Sequence, residues 1–451
     1  MLILTNDDKH FYKDLLRIAV PIALQNLIVS SVNMLDTIMV GRLGATELAA
    51  VGLGNQIWFL LMLLLFGTST GSGVFTSQYW GKRDIAGIRR TTGVSMTLAL
   101  AAAFVFMGAA LAFPEFLLRL YSRDAEVIRI GAEYLRLVAP SYPFAAASFA
   151  FSLALRGVEH VKLPLVATIV SLAINAALNY VLIFGKFGAP ALGVRGAAIA
   201  TVCARIVEAA IVFAVAYARR MPPAGSLAEF RSWGGGFLPR FARIAAPVVL
   251  NEVAWSLGIT SYNAILARVS TDAIAAYNVT NTISQLAMVL FMGTANAAAV
   301  MLGTRIGEGD RAKAFAWARR FAVMSPLIGV ATAAALVPVS LAIPWLFALG
   351  PEPLRQARLM VLVMACVFPF KVFNLHVVVG ICRAGGDTRF GAFFDIFGVW
   401  MLGVPLALLG AFVFRVEPWI VFALLSFEEI AKSGLGLWRL ATKKWLNDVT
   451  V

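Results

Sequence analysis

Several ionisable side chains lie inside otherwise apolar runs of this 451-residue sequence. They are Asp36, the pair Arg205 and Glu208, Glu252, Lys371, Asp395, and the group Glu428, Glu429 and Lys432. A charge held at the centre of a bilayer costs several kcal/mol, so these positions are where function is first sought. Asp36 lies in SSVNMLDTIMVG. A carboxylate in a mostly apolar cavity can exchange a proton or Na⁺ when access to that cavity changes. The plainer alternative is an interfacial acid paired with Arg42, six residues on. Asn175 and Asn179, four apart, share one helical face. They suit either a cation cage with a neighbouring acid or hydrogen-bonded helix packing. Asn251 and Glu252, with Gln25, Asn26 and Lys371, are candidates for a substrate or second cation site. Glu252 paired with Lys371 is the structural alternative. Arg205 with Glu208, and Lys432 with its two glutamates, read as pairs within one helix.

The elements that must position these groups are membrane spans. The chain is 60% hydrophobic and 14% charged, where a soluble domain has roughly a quarter charged residues. Apolar blocks such as IWFLLMLLLFG and TLALAAAFVFMGAALAF have the length a hydrocarbon core of about 30 Å demands. Twelve helices are expected, near 15–39, 48–76, 92–114, 128–155, 163–184, 194–217, 241–267, 274–302, 314–336, 355–382, 390–413 and 417–440. The polar, Pro- and Gly-containing stretch 218–240 separates a lobe at 1–217 from a lobe at 241–451. Shifting by 226 positions lays Arg17, Pro21, Arg42, Asn55, Gly67, Gly81 and Asp84 on Arg243, Pro247, Arg268, Asn281, Gly293, Gly307 and Asp310. The halves are duplicated. An even number of spans per half gives parallel repeats, a transporter architecture with substrate held between the halves. The acids do not repeat: Asp36 falls on Tyr262, and Glu252 on Asn26. Pro21 is expected to bend the first helix, and Pro247 sits at the equivalent place.

The formal charge of +14 is read as topology rather than nucleic-acid binding. With the amino terminus inside, inner segments hold 24 Lys and Arg against 11 outside. Both termini are therefore expected in the cytoplasm, in a multi-pass inner membrane protein. The three cysteines and three histidines show no disulfide or metal-ligand spacing, and no phosphate-binding loop is present. Neither an enzyme nor an ATP-driven pump is expected, and no cofactor beyond a coupling ion.

The strings NMLDTIMVGRLGATELAAVGLGNQI, LNYVLIFG, LGVRGAAIATV and ICRAGGDTRFG together resemble the multidrug and toxic compound extrusion (MATE) family, and the likeness covers nearly the whole chain. The resemblance implies an all-α integral membrane protein of twelve helices in two six-helix lobes forming a V. It implies efflux of organic, often cationic and lipophilic compounds in exchange for H⁺ or Na⁺, with small-molecule drugs and membrane lipids as partners and a monomeric state. Asp36 occupies the position of the coupling acid, and Asn175 and Thr201 match supporting positions. Position 179 is Asn where some members have Asp, which removes one negative charge and favours H⁺ over Na⁺. Glu252 resembles an acid of the carboxyl lobe in the NorM-like branch, while Lys371 and Val372 stand where a further acid is expected. The DinF-like and NorM-like branches stay unresolved. The alternative within the same superfamily is a lipid-linked precursor flippase.

Overall fold

The computed structural model describes residues 6–234, 236–347 and 349–451. Twelve long helices run through it: α1 (Asn6–Gly41), α2 (Ala45–Lys82), α3 (Ile85–Ala112), α4 (Ala125–Gly157), α5 (Lys162–Phe184), α6 (Val194–Ala218), α7 (Phe237–Val269), α8 (Thr271–Gly307), α9 (Arg311–Leu346), α10 (Pro351–Cys382), α11 (Thr388–Val413) and α12 (Pro418–Thr442). Helices satisfy their own backbone groups, which is what lets these apolar segments cross a lipid core. Among the described residues, the first eleven are long and apolar enough to span. The twelfth is a 25-residue helix of similar length, but Glu428, Glu429 and Lys432 interrupt its apolar stretch.

Duplicated sequence gives duplicated local structure. Asp84 caps α3 by accepting from Gly87 N at 2.9 Å, and Asp310, its counterpart, caps α9 by accepting from Lys313 N at 2.9 Å. Two elements are less regular than the sequence predicts. In α4 a 3₁₀ turn at Ala139–Ser141 precedes Tyr142, where Pro140 and Pro143 remove backbone donors. The end of α10, His376–Cys382, and two stretches of α11, Phe397–Gly403 and Leu409–Val413, are wound as π-helix.

By contacts, the chain forms two compact units, and their limits are not the expected lobes. One unit is Leu24–Ala245; the other is Met1–Ala23 with Ala246–Val451. The division falls inside α1, just after Pro21, and inside α7, just before Pro247. Aromatic packing is the physical reason. Phe11 on α1 meets Trp317 and Phe321 of α9 with ring centroids 5.5 and 5.0 Å apart. Phe237 and Phe241 on α7 meet Phe75 of α2 at 5.6 and 5.9 Å. Small residues allow these approaches. A β-carbon on Gly71 would stand 2.7 Å from Ala245 Cβ, and one on Gly293 would stand 2.8 Å from Ala19 O.

Candidate functional site

In the unit Leu24–Ala245, α5 presents Thr168, Asn175 and Asn179 at spacings of seven and four, a single helical face. Asn179 Nδ2 donates to Asp36 Oδ1 of α1 at 2.8 Å and to Asn175 Oδ1 at 3.2 Å. Turned so that its nitrogen faces Asp36, the Asn175 amide donates to both carboxylate oxygens at 3.1 Å. Both asparagines are buried, and Asp36 is half-buried. Among the described residues no ion pair joins Asp36 to Arg42; amides surround it instead. An amide both donates and accepts, so it can hold a carboxylate or a neutral carboxyl group. Thr201 does not join this contact: its hydroxyl donates to Ala197 O of its own helix at 3.0 Å.

Further along α1 lies a second polar chain. Arg156 Nη2 donates to Gln25 Oε1 at 2.7 Å, and Gln25 Nε2 to Thr168 Oγ1 at 2.7 Å. Thr168 donates to Glu208 Oε1 at 3.0 Å, and Arg205 pairs with Glu208 Oε2 at 2.8 Å. Arg205 and Glu208 thus form the expected intrahelical pair but belong to a wider network. Gln25 and Asp36 are 11 residues apart on α1, about 16 Å along a helix. Asn26, beside Gln25, is half-buried. Pro21 lies within an α1 that runs unbroken from Asn6 to Gly41.

The carboxyl-terminal unit carries a related frame with different charges. Glu252 does not pair with Lys371; its partner is Arg383, at 2.8 Å. Lys371 Nζ instead donates to Ser284 Oγ at 3.1 Å. The reason is position: Arg383 closes α10 as Arg156 closes α4, and each reaches back to the first helix of its repeat. Asn251 Nδ2 donates to Asp395 Oδ2 at 3.0 Å. Asp395 in turn lies 3.6 Å from Lys432 Nζ, which also approaches Glu429 at 3.3 Å and Glu428 at 3.8 Å. Asn374 donates to Glu429 Oε2 at 2.7 Å, and Ser433 donates to Asn374 Oδ1 at 3.0 Å. One buried ammonium therefore gathers three carboxylates from α11 and α12, more than a pair within one helix. Tyr262, at the repeat position of Asp36, is buried beside Gly403 together with Glu428.

Sequence reasoning does not single out Arg156 and Arg383, which lie at the polar ends of their helices. Their signal was available: LRGVEH and CRAGGD occupy equivalent ends of α4 and α10.

The two repeats are also recovered separately by comparison. The family model MatE matches residues 21–181 and 247–409, with starts at Pro21 and Pro247. The probable multidrug resistance protein YoeA of Bacillus subtilis (strain 168) is 27% identical over 394 residues, covering 86% of this chain and 84% of that protein. The probable multidrug resistance protein NorM of Thermotoga maritima is 23% identical over 440 residues, covering 96% and 93%. Among solved structures, a MATE protein crystallised in the bent conformation superposes with a TM-score of 0.87 at 18% identity, covering 98% of each chain. A transporter of the MOP superfamily from Pyrococcus furiosus, described as having a binding pocket of reverse polarity, gives 0.83 at 20% identity and covers 96% of each. A multi-pass helical chain with two matched repeats, similar over nearly its whole length to probable multidrug resistance proteins, is a transport protein rather than an enzyme, and it belongs to the MatE family.

Proposed function

We propose that the protein is an antiporter that exports organic, often cationic and lipophilic compounds in exchange for H⁺, with Asp36 as the coupling group. The supporting observation is the environment of Asp36: a half-buried carboxylate held by the amides of Asn175 and Asn179, with no second carboxylate in that hydrogen-bonded group among the described residues. A Na⁺ ion would be left with one formal negative charge, whereas a proton needs only that one. Amides that donate and accept can serve both protonation states without rearranging their helix. Pro21, near where α1 passes from one compact unit to the other, is placed to let helix 1 respond to that change. In this reading both termini are cytoplasmic, as the lysine and arginine bias supports, and the protein works as a monomer in the inner membrane.

Export of small organic compounds is favoured over flipping of lipid-linked precursors by the state of the buried cations. Arg383 and Lys432 are already bound to carboxylates, so these two do not offer a positive surface to a pyrophosphate. The test is transport in proteoliposomes under separately imposed proton and sodium gradients. Dye efflux driven by the proton gradient alone is expected, and Asp36→Asn abolishes it. Efflux driven only by sodium, or undiminished in Asp36→Asn, overturns the coupling.

A further inference from the structure

Helix parity places the segments 113–124 and 185–193 on the face opposite the 218–240 linker. A cavity of about 1150 Å³ opens there, inside the unit Leu24–Ala245. Arg119, Arg123, Arg129, Arg136 and Arg195 line it. These are five of the 11 basic residues on that side of the chain, the side poor in Lys and Arg. Topology signalling therefore does not account for them.

Three of the five are neutralised locally. Arg136 pairs with Glu115 at 2.8 Å, Arg129 with Glu126 at 2.6 Å, and Arg195 with Glu133. Arg119 and Arg123 form no ion pair among the described residues, so the rim keeps two surplus guanidinium groups. Glu115, Glu133 and Ser122 also line the cavity, the two glutamates already paired with Arg136 and Arg195, and Ile128, Leu137, Leu192 and Ile199 form an apolar part of the wall. Beside the mouth, the short helix Pro114–Arg119 and the turn after it leave Phe113, Phe116, Leu120 and Tyr121 exposed, at 64, 63, 67 and 46%. Aromatic and aliphatic side chains exposed next to arginines mark the level where headgroups meet acyl chains.

We propose that this cavity is a binding site for the phosphate of an acidic phospholipid headgroup, held by Arg119 and Arg123 with the lipid body along the apolar wall. Guanidinium forks match phosphate oxygens in a bidentate way, which an ammonium does not. The apolar wall selects a lipid over free phosphate.

The test compares the full chain in nanodiscs of phosphatidylcholine with and without phosphatidylglycerol. Phosphatidylglycerol is expected to raise Tm, and native mass spectrometry to retain it on the protein. The variant Arg119→Gln/Arg123→Gln should keep the Tm of the parent in pure phosphatidylcholine, since both side chains are exposed. It should bind phosphatidylglycerol on the order of thirty-fold more weakly, from about 1 kcal/mol for each arginine near an anionic surface. An equal rise in parent and variant, or none in the parent, overturns the site. Inorganic phosphate in pure phosphatidylcholine reproducing the full rise overturns the lipid as its occupant. Should the double variant fail to fold, Arg123→Gln alone is read in the same assay, where a loss of retained phosphatidylglycerol supports the site and unchanged retention overturns it.

Discussion

At the scale of single residues, the two units solve one problem with different charges. Each has an arginine at the end of its fourth helix reaching the first: Arg156 meets the neutral Gln25, and Arg383 meets the carboxylate of Glu252. Arg383 is only 5% exposed. Removing its carboxylate leaves a buried guanidinium short of its counter-ion, at a cost of about 3–5 kcal/mol. Glu252→Gln should therefore lower Tm clearly in detergent, and Glu252→Gln/Arg383→Gln should recover much of the loss; a single variant as stable as the parent would sink this reading. Outside the membrane, Glu229 of the linker is held by Ser226, whose backbone N–H donates at 2.6 Å, and by Arg89 at 2.5 Å. These contacts, the Ser226 backbone bond first, bring its carboxyl down to about 2. A folded value below the ordinary one means that the ionised form stabilises the docked linker at neutral pH. That contribution fades as pH falls from about 4.5 toward 2. Limited proteolysis with an acid-tolerant protease should find the linker protected at the upper end of that window and cleaved at the lower. Glu229→Gln should already be cleaved readily at neutral pH.

At the scale of elements, close helix packing depends on where a side chain is missing. Gly71 and Gly293 each face a backbone or methyl group nearer than 3 Å to where a β-carbon would sit, while Gly73 faces nothing within 4 Å. Gly71→Val and Gly293→Val should each cost about 1–3 kcal/mol through overpacking. Gly73→Ala, in the same helix as Gly71, should be neutral or mildly stabilising. Thermal unfolding followed by tryptophan fluorescence separates them, and equal effects at positions 71 and 73 would refute the packing argument. Most of these elements were legible in the sequence. Apolar length gives the helices, and the 226-residue register gives the repeat, with Asp84 and Asp310 among its matched positions. Helical spacing puts Asn175 and Asn179 on one face but leaves open whether they meet an acid or only pack helices; the grouping with Asp36 came from the family resemblance. Sequence does not reveal Arg383 as the partner of Glu252 or Asp395 as a third partner of Lys432, because each contact joins residues more than 30 positions apart across helices whose relative rotation no periodicity fixes. Nor does sequence reveal the π-helical turns of α10 and α11, where one extra residue per turn shifts every later side chain around the helix.

At the scale of the whole chain, the duplication does not produce two self-contained halves. The first turns of α1 belong by contact to the carboxyl-terminal unit, and those of α7 to the amino-terminal unit. Hydropathy cannot show this exchange, because Phe11 and Phe237 read as ordinary apolar residues at the start of their helices. It has a measurable consequence. Phe11 is fully buried against Trp317 and Phe321 of α9, so Phe11→Ala should cost about 3–5 kcal/mol. The loss should appear far from the mutation in sequence. Hydrogen exchange should rise in the first half of α9, around Trp317 and Phe321, while α2 and α3 keep the protection of the parent. Phe241→Ala should do the reverse, loosening α2 near Phe75 and leaving α9 unchanged. Had each half folded on its own initial helix, Phe11→Ala would expose α2 to α6 instead, and that pattern would refute the exchanged arrangement.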